Sequence, residues 1–206
     1  MKKIDLIIWD FDGVILDSDD VRIFGFKECL KKHGNQNQID LLINYHKENG
    51  GLSRYNKIGY FFSKILKKEL NENLFKNILN EFNKIMINEL SKKKYLINET
   101  VEYISNNYKN IEMHIASGSD HNELNFLCEK LKISHFFKSI NGSPTTKFEI
   151  VKNIFKKNKL IKDNAILIGD SINDYEAAKF NSIIFYGYNN SKLIGLDNYI
   201  KSFSNF

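Results

Sequence analysis

The chain has 206 residues, a formal net charge of +5 and 42% hydrophobic residues, the composition of an ordinary globular protein. This length suits one core domain with room for an inserted module and excludes a large multidomain assembly. Lysines are spread along the chain, with small clusters at 92–94 and at Lys156, Lys157 and Lys159. We interpret these clusters as solvated faces, because a nucleic-acid surface is usually more basic and more concentrated.

The cysteines and the apolar segments indicate the cellular compartment of the protein. Cys29 and Cys128 lie far apart within segments of helical periodicity, so no disulfide framework is expected. Segment 1–10 carries acidic residues within and after its short apolar run, unlike a secretory signal peptide. Every apolar stretch is far shorter than the ~20 residues that cross a bilayer. We therefore expect a soluble, cytoplasmic protein without a membrane partner.

Four short apolar runs, each followed by polar residues or glycine, are typical of buried parallel strands. They span 4–9, 111–116, 165–168 and 182–186. Helical patterns accompany them at 99–108, 121–131, 147–158 and 174–179. The alternation predicts an α/β protein with a doubly wound, Rossmann-like parallel sheet, whose ligand lies beyond the carboxyl ends of the strands.

The first two predicted strands are too far apart for a simple crossover. Residues 10–110 separate them, whereas a strand–helix–strand unit needs only about 30. Apolar residues recur at helical spacing in this segment, at Tyr55, Ile58, Phe62, Ile65 and Leu66 and again over 74–90. We predict an inserted all-α module at 18–96, with the core at 1–17 and 97–206 and hinges near 16–20 and 94–98.

A pair of carboxylates, Asp10 and Asp12, follows the first predicted strand, and Gly13 lets the chain turn sharply. Two carboxylates this close repel each other, and a cation or a shared proton relieves the repulsion. Hard oxygen ligands suit Mg²⁺, which substrate phosphate oxygens can complete. The pair alone is ambiguous, because acidic loops with glycine are also common turns.

A second carboxylate pair, Asp170 and Asp174, lies where the loop after the third predicted strand enters a helix. Helix capping also explains Asp174, whereas Asp170 has no equally good structural explanation. Because the carboxyl ends of neighbouring parallel strands meet, we expect Asp170 to lie beside Asp10 and Asp12. Together these residues predict an acidic site for a divalent cation.

Three further residues have the chemistry to hold a phosphoryl group. Ser117 and Gly118, at the end of the second predicted strand, offer a hydroxyl and backbone amides, although Ser-Gly is also an ordinary turn. Lys147 follows the predicted loop 141–146 and begins a helix, where its charge opposes the helix dipole. A phosphate or aspartate partner would explain that position, although most lysines need no such reason.

In chain order these segments resemble the signature of the haloacid dehalogenase-like hydrolases: Asp10-Phe11-Asp12-Gly13-Val14, Ser117-Gly118, Lys147, and Gly169-Asp170 with Asp174. The helical insertion is similar to the cap of the phosphoglycolate phosphatase and β-phosphoglucomutase branch. The resemblance implies a nucleophilic aspartate that forms an aspartyl-phosphate and a second aspartate that acts as acid and base. These would be Asp10 and Asp12.

The resemblance also implies the remaining site residues. The phosphoryl group would be held by Ser117, Gly118 and Lys147, with Phe11 counted among the substrate-binding residues. Mg²⁺ would be bound by the side chains of Asp10 and Asp170, by the carbonyl oxygen of Asp12, and by Asp174 as a ligand or as support.

The branch within the family follows from individual positions. Asp12 favours phosphate esters, since the dehalogenases and phosphonatases of the family lack an acid there. Gly51-Leu52-Ser53-Arg54 is similar to the Gly-Val-Ser-Arg loop of β-phosphoglucomutase, which makes Arg54 a candidate for an anionic substrate group. The alternative for Arg54 is an arginine that opens a cap helix with its head exposed.

Two positions separate hydrolysis from phosphate transfer within a sugar. Arg22 stands where the mutase carries a cap-hinge histidine, and Gly169 stands where the mutase carries an acidic residue. Both favour a Mg²⁺-dependent phosphatase acting on a small phosphomonoester such as a sugar phosphate. The alternatives are a hexose phosphomutase and a non-catalytic binding protein with the same fold. Neither the oligomeric state nor the substrate's identity follows from the sequence.

Overall fold

A computed structural model describes residues 4–158 and 164–206, apart from the side chains of residues 157 and 158. Residues 1–3 of the predicted core lie outside the described residues. So do Lys159 and the side chain of Lys157, which belong to the second lysine cluster.

The core is a six-stranded parallel sheet with the strand order β3-β2-β1-β4-β5-β6. Its strands are β1 (Leu6–Trp9), β2 (Glu112–Asp120), β3 (Ser139–Ser143), β4 (Ala165–Gly169), β5 (Ile184–Tyr188) and β6 (Asn198–Ile200). The chain winds outward from β1 in both directions, so the predicted doubly wound α/β fold is confirmed.

Three strands depart from the sequence prediction. The sequence does not predict β3 and β6, which form the two edges of the sheet. An edge strand has fewer neighbours, and β3 reads Ser-Ile-Asn-Gly-Ser without an apolar run. Residues 141–143 of the predicted loop 141–146 therefore belong to β3, and β2 continues to Asp120, beyond its predicted end.

Eight α-helices are described: α1 (Asp19–Leu30), α2 (Gln36–Glu48), α3 (Arg54–Tyr60), α4 (Glu72–Leu90), α5 (Asn98–Asn107), α6 (His121–Lys130), α7 (Lys147–Asn158) and α8 (Ile172–Phe180). A π-helical segment, Phe61–Leu66, continues α3. Short 3₁₀ turns lie at Lys93–Tyr95, Ser134–Phe136, Ser191–Leu193 and Phe203–Asn205. Within residues 4–158 and 164–206, no helix is both long and apolar enough to span a membrane.

Helices cover both faces of the sheet, as the residues of β1 demonstrate. All four are buried, and successive side chains point to opposite faces. Ile7 and Trp9 pack with apolar residues of α5 and α6, whereas Leu6 and Ile8 pack with those of α7 and α8. A strand buried on both sides needs apolar residues at every position, which is why β1 reads as a continuous apolar run.

The helices α1 to α4 lie between β1 and β2 and form the helical cap. The apolar stripe of α4 is buried at Ile78, Phe82, Met86 and Leu90. The two connections to the core run side by side, since the Asp17 N–H donates to the Tyr95 carbonyl (2.7 Å) and the Ile97 N–H to the Ile15 carbonyl (2.9 Å). The exact boundaries of the cap, 18–96, stay a proposal.

Candidate active site

Three carboxylates meet at the carboxyl ends of β1 and β4. The backbone N–H of Asp10 donates to the Ile168 carbonyl (2.9 Å), which extends the pairing of the two strands by one residue. Asp170 follows β4, and Asp174 lies in the first turn of α8. One oxygen from each of Asp10, Asp170 and Asp174 lies within 4.8 Å of the others. The structure thus brings these residues together, as the sequence predicts.

This cluster carries an excess of negative charge that a cation would relieve. Burial and the charge of Asp174 raise the pKa of Asp10 to about 7, despite the opposing effect of Lys147. Burial and the charge of Asp10 raise the pKa of Asp170 well above its usual value. All three donors are oxygens, and a divalent ion would stabilise their ionised forms, so the residues fit Mg²⁺.

Lys147 is the buried cation that contacts this cluster. It begins α7, and its Nζ lies 2.9 Å from Asp10 Oδ1 and also contacts Asp174. The charges of the two aspartates raise the pKa of Lys147 against the lowering effect of burial. Asp174 also accepts hydrogen bonds from the backbone N–H (3.1 Å) and hydroxyl of Ser171, so it caps α8 as well. The aspartate partner that would explain the position of Lys147 is therefore present.

The turn after Asp12 requires glycine. Gly13 has φ +75°, and a Cβ at this position would overlap the Asp170 carboxylate. The close approach of this turn to the loop after β4 depends on the missing side chain.

The carboxylate of Asp12 is not part of the three-carboxylate cluster, contrary to the expectation that it lies with Asp10 and Asp170, and it contacts residues of α1, the loop before α1 and β2 instead. It accepts hydrogen bonds from Ser18 Oγ (2.5 Å), Ser119 Oγ (2.5 Å) and Arg22 Nε (2.8 Å), and Arg22 Nη2 lies 2.7 Å away. Burial raises the pKa of Asp12, but Arg22 and these hydrogen bonds outweigh burial and lower it overall. Asp12 is therefore held ionised in an ion pair with α1.

The predicted phosphoryl-binding and substrate-binding residues of β2 and of the loop after β1 differ in their access to solvent and ligand. Ser117 is buried, and its Oγ accepts a hydrogen bond from the Ser119 N–H (3.0 Å). Gly118 lines a cavity between the core and the cap, and a Cβ at this position would overlap the carbonyl oxygen of Gly51 in the cap. Charged residues of both parts line the same cavity: Asp10, Asp12, Asp170, Arg22, Arg54 and Lys57. The Phe11 side chain lies wholly in the hydrophobic core, so the structure does not bring it to the cavity.

Arg54 lies in the cavity wall with its guanidinium buried. Its Nη2 is 2.5 Å from Glu123 Oε2, and its guanidinium lies 4.7 Å from the Phe82 ring centre. The alternative in which this arginine has an exposed head is therefore wrong. Glu123, in α6, also lies 3.3 Å from Arg22 Nη1, so one buried carboxylate joins two cap arginines.

The sequence does not single out three residues of this site. Glu123 has the position of an ordinary first-turn acid of α6, Lys57 resembles a surface lysine, and Ser119 merely follows the Ser-Gly pair. The one available signal is that Ser119 directly continues a motif at a strand end.

The sequence of most of the chain agrees with one family. A model of the haloacid dehalogenase-like hydrolases matches residues 7–187, which include every predicted motif. The protein belongs to this family. Membership and the expected hydrolase class are therefore confirmed.

Relatives of this hydrolase include a Thermotoga maritima protein named phosphorylated carbohydrates phosphatase. The two are 22% identical over 180 residues, which cover 84% of this chain and 79% of the relative. Among solved structures, a β-phosphoglucomutase from Clostridium difficile has a TM-score of 0.80 at 18% identity, covering 98% of this chain and 93% of that one. A predicted phosphoglycolate phosphatase from Haemophilus somnus has a TM-score of 0.77 at 17% identity, with coverages of 100% and 97%. These structures share the fold.

Proposed function

We propose that this hydrolase is a Mg²⁺-dependent phosphatase that cleaves a small phosphomonoester, such as a sugar phosphate, through an aspartyl-phosphate at Asp10. The observation that carries the proposal is a buried Asp10 that contacts Lys147, has Asp170 and Asp174 beside it, and borders a cavity. The similarity to the Thermotoga maritima phosphatase supports phosphorylated carbohydrates as the substrate class.

The chain's own residues account for the two steps. An Asp10 oxygen attacks phosphorus, the bond from phosphorus to the leaving oxygen breaks, and that oxygen takes a proton from Asp12. Water then attacks phosphorus and gives a proton to Asp12, while the bond between phosphorus and the Asp10 oxygen breaks; inorganic phosphate leaves and the Asp10 carboxylate is restored. Lys147, Ser117 and the Gly118 amide hold the phosphoryl oxygens and stabilise their charge.

The proposed metal ligands are the side chains of Asp10 and Asp170, the Asp12 carbonyl and Asp174. When bound, Mg²⁺ would neutralise carboxylate charge and shield the phosphate from the nucleophile.

The ion pair with Arg22 keeps Asp12 ionised, which suits the step in which Asp12 takes a proton from water. Donation to the leaving group requires a proton on Asp12. We therefore expect the contact between Arg22 and Asp12 to break when the substrate binds.

A small substrate follows from the position of the cap. Three contacts join the cap to the core, through Arg22 with Asp12, Arg54 with Glu123 and Tyr55 with Asp120. A folded protein cannot enter a site closed in this way. Arg54 supplies positive charge to the cavity wall and remains a candidate for substrate recognition.

Phosphate release tests the proposal. We would incubate the protein with sugar phosphates, phosphoglycolate and nucleotides, with Mg²⁺ or with EDTA, beside Asp10→Asn. Release that requires Mg²⁺ and Asp10 is expected. Isomer exchange of a sugar phosphate without phosphate release would instead indicate a phosphomutase. The absence of both reactions would indicate a non-catalytic binding protein. Either result overturns the proposal.

A further inference from the structure

Lys57, in α3, is a buried basic residue in the cavity wall. Its side chain is largely inaccessible, with the residue 3% exposed. Its Nζ donates hydrogen bonds to His46 Nδ1 (2.7 Å) and to the Gly50 carbonyl (3.2 Å). Within the described part of the chain, no carboxylate forms an ion pair with it. A buried charge in this state is costly unless a ligand compensates it.

The other two cations of the same wall differ in this respect. Arg22 is paired with Asp12 and Glu123, and Arg54 is paired with Glu123. Their charges are therefore largely satisfied before any substrate enters. Lys57 is the member of this wall best placed to gain an anionic partner from a ligand.

His46 and Asp19 hold the amine of Lys57 in position. His46 is buried in α2, and its Nε2 lies 3.1 Å from Asp19 Oδ1 at the start of α1. Because Nε2–H donates a hydrogen bond to the Asp19 carboxylate, Nδ1 is left as the acceptor for a Lys57 N–H. The chain of hydrogen bonds from Asp19 through His46 to Lys57 fixes the amine, and all three residues line the cavity.

The electrostatics of the wall agree with a place for an anion. Burial and the positive charge of Arg22 lower the pKa of Lys57 to about 7. Burial also lowers the pKa of His46. Asp12, Asp19 and Asp170 act on Lys57 in the opposite direction, but from beyond ion-pair distance. An anion next to the amine would favour its charged form.

We propose that Lys57 is a specificity-determining residue that binds a second anionic group of the substrate, separate from the phosphate that is hydrolysed, and that His46 and Asp19 are positioning residues for it. The inference rests on the proposed function, because it assigns Lys57 to the same cavity. A substrate of this class carries a phosphate at one end and a phosphate or carboxylate at the other.

Binding to a protein that cannot turn over tests the inference. In the Asp10→Asn background, calorimetry would compare fructose 1,6-bisphosphate with fructose 6-phosphate, and phosphoglycolate with glycerol 3-phosphate. Adding Lys57→Met should weaken binding of at least one doubly anionic ligand about 10- to 100-fold, and of its singly anionic match far less. Lys57→Arg should restore most of the difference, and His46→Gln should lose part of it.

Lys64→Met is the matched control, because Lys64 is an exposed lysine in the segment that continues α3. It should leave all four affinities unchanged. Equal weakening of both members of each pair by Lys57→Met, or binding of none of the four compounds, would overturn the inference.

Phosphate release by the unmodified protein on the same compounds separates the two proposals. A preference for the doubly anionic ligand that depends on Lys57, without any release, would refute the phosphatase and leave the role of Lys57 standing. Phosphate release without a Lys57-dependent preference would support the phosphatase and refute the role of Lys57.

Discussion

The two walls of the cavity carry opposite charges. On the core side, Asp10, Asp170 and Asp174 lie together, with Lys147 touching two of them. On the cap side, Arg22, Arg54 and Lys57 lie together, with the buried Glu123 touching two of them. On the core side, Lys147 offsets only part of the negative charge. On the cap side, Asp12 also pairs with Arg22, so the two arginines have partners, whereas among the described residues no carboxylate forms an ion pair with Lys57.

The difference between the walls indicates what each lacks. An acidic wall that is short of positive charge is completed by a metal cation, and a basic wall that is short of negative charge is completed by an anion. A phosphorylated, anionic substrate bound with Mg²⁺ would supply both. The following substitutions remove one charge at a time from either wall.

The largest effect on turnover is expected for Asp10→Asn in the acidic wall. Turnover should fall by about 1,000-fold or more, because the amide cannot replace the nucleophile, while the protein stays folded. Rates on the best substrate and circular dichroism would measure the two effects. Asp20→Asn, an exposed acid in α1, is the control. Full activity of Asp10→Asn would contradict the assignment.

Lys147→Met should destabilise the protein, since Asp10 and Asp174 then lose their buried partner. Urea unfolding in metal-free buffer at pH 8 should show a loss of about 3 kcal/mol in the free energy of unfolding. The loss should be smaller at pH 5.5, where raised carboxyl pKa values favour neutral aspartates. Lys152→Met, exposed in the same helix, should have little effect. An equal loss at both pH values would indicate that packing, not charge, is what Lys147 contributes.

Glu123→Gln removes the carboxylate charge that contacts the basic wall. Because Gln keeps a hydrogen-bond acceptor but removes the charge shared by Arg22 and Arg54, we expect a loss of about 2 kcal/mol. Sulfate should stabilise this variant more than the unmodified protein, and thermal unfolding with and without sulfate would show it. Glu129→Gln, exposed in the same helix, is the control. No added response to sulfate would argue against a basic wall in need of an anion.

The smallest effect concerns Lys57 and pH. Its folded-state pKa of about 7 lies below the unfolded value of 10.5, so between these values the unfolded chain binds more protons than the folded protein. The stability contributed by this group should therefore rise with pH, by about 1.4 kcal/mol per unit at most, and be lowest below pH 7. Lys57→Met should remove this rise, as unfolding at pH 7 and 8.5 would measure. An unchanged pH dependence in the variant would contradict the lowered pKa.

The parts of the fold that can be predicted are those with strong local patterns. The strands β1, β2, β4 and β5 carry apolar runs because they lie in the body of the sheet, whereas the edge strands β3 and β6 do not. The cap is predictable as helical because the stripe on α4 repeats with helical spacing. The ends of the elements follow less closely from the sequence, since β2 extends to Asp120, four residues beyond its predicted end at 116.

The acidic wall follows from the sequence because its residues stand directly after β1 and β4, or in the first turn of α8. The topology of a parallel sheet brings such positions to one edge, whatever the details of packing. The basic wall does not follow in this way. Arg22, Lys57 and Glu123 lie on three separate helices, and their contacts depend on how those helices pack. Local patterns do not specify that packing. Only the tertiary structure places Glu123 between two arginines, brings Arg22 to Asp12, and buries Lys57 where no carboxylate of the described residues forms an ion pair with it.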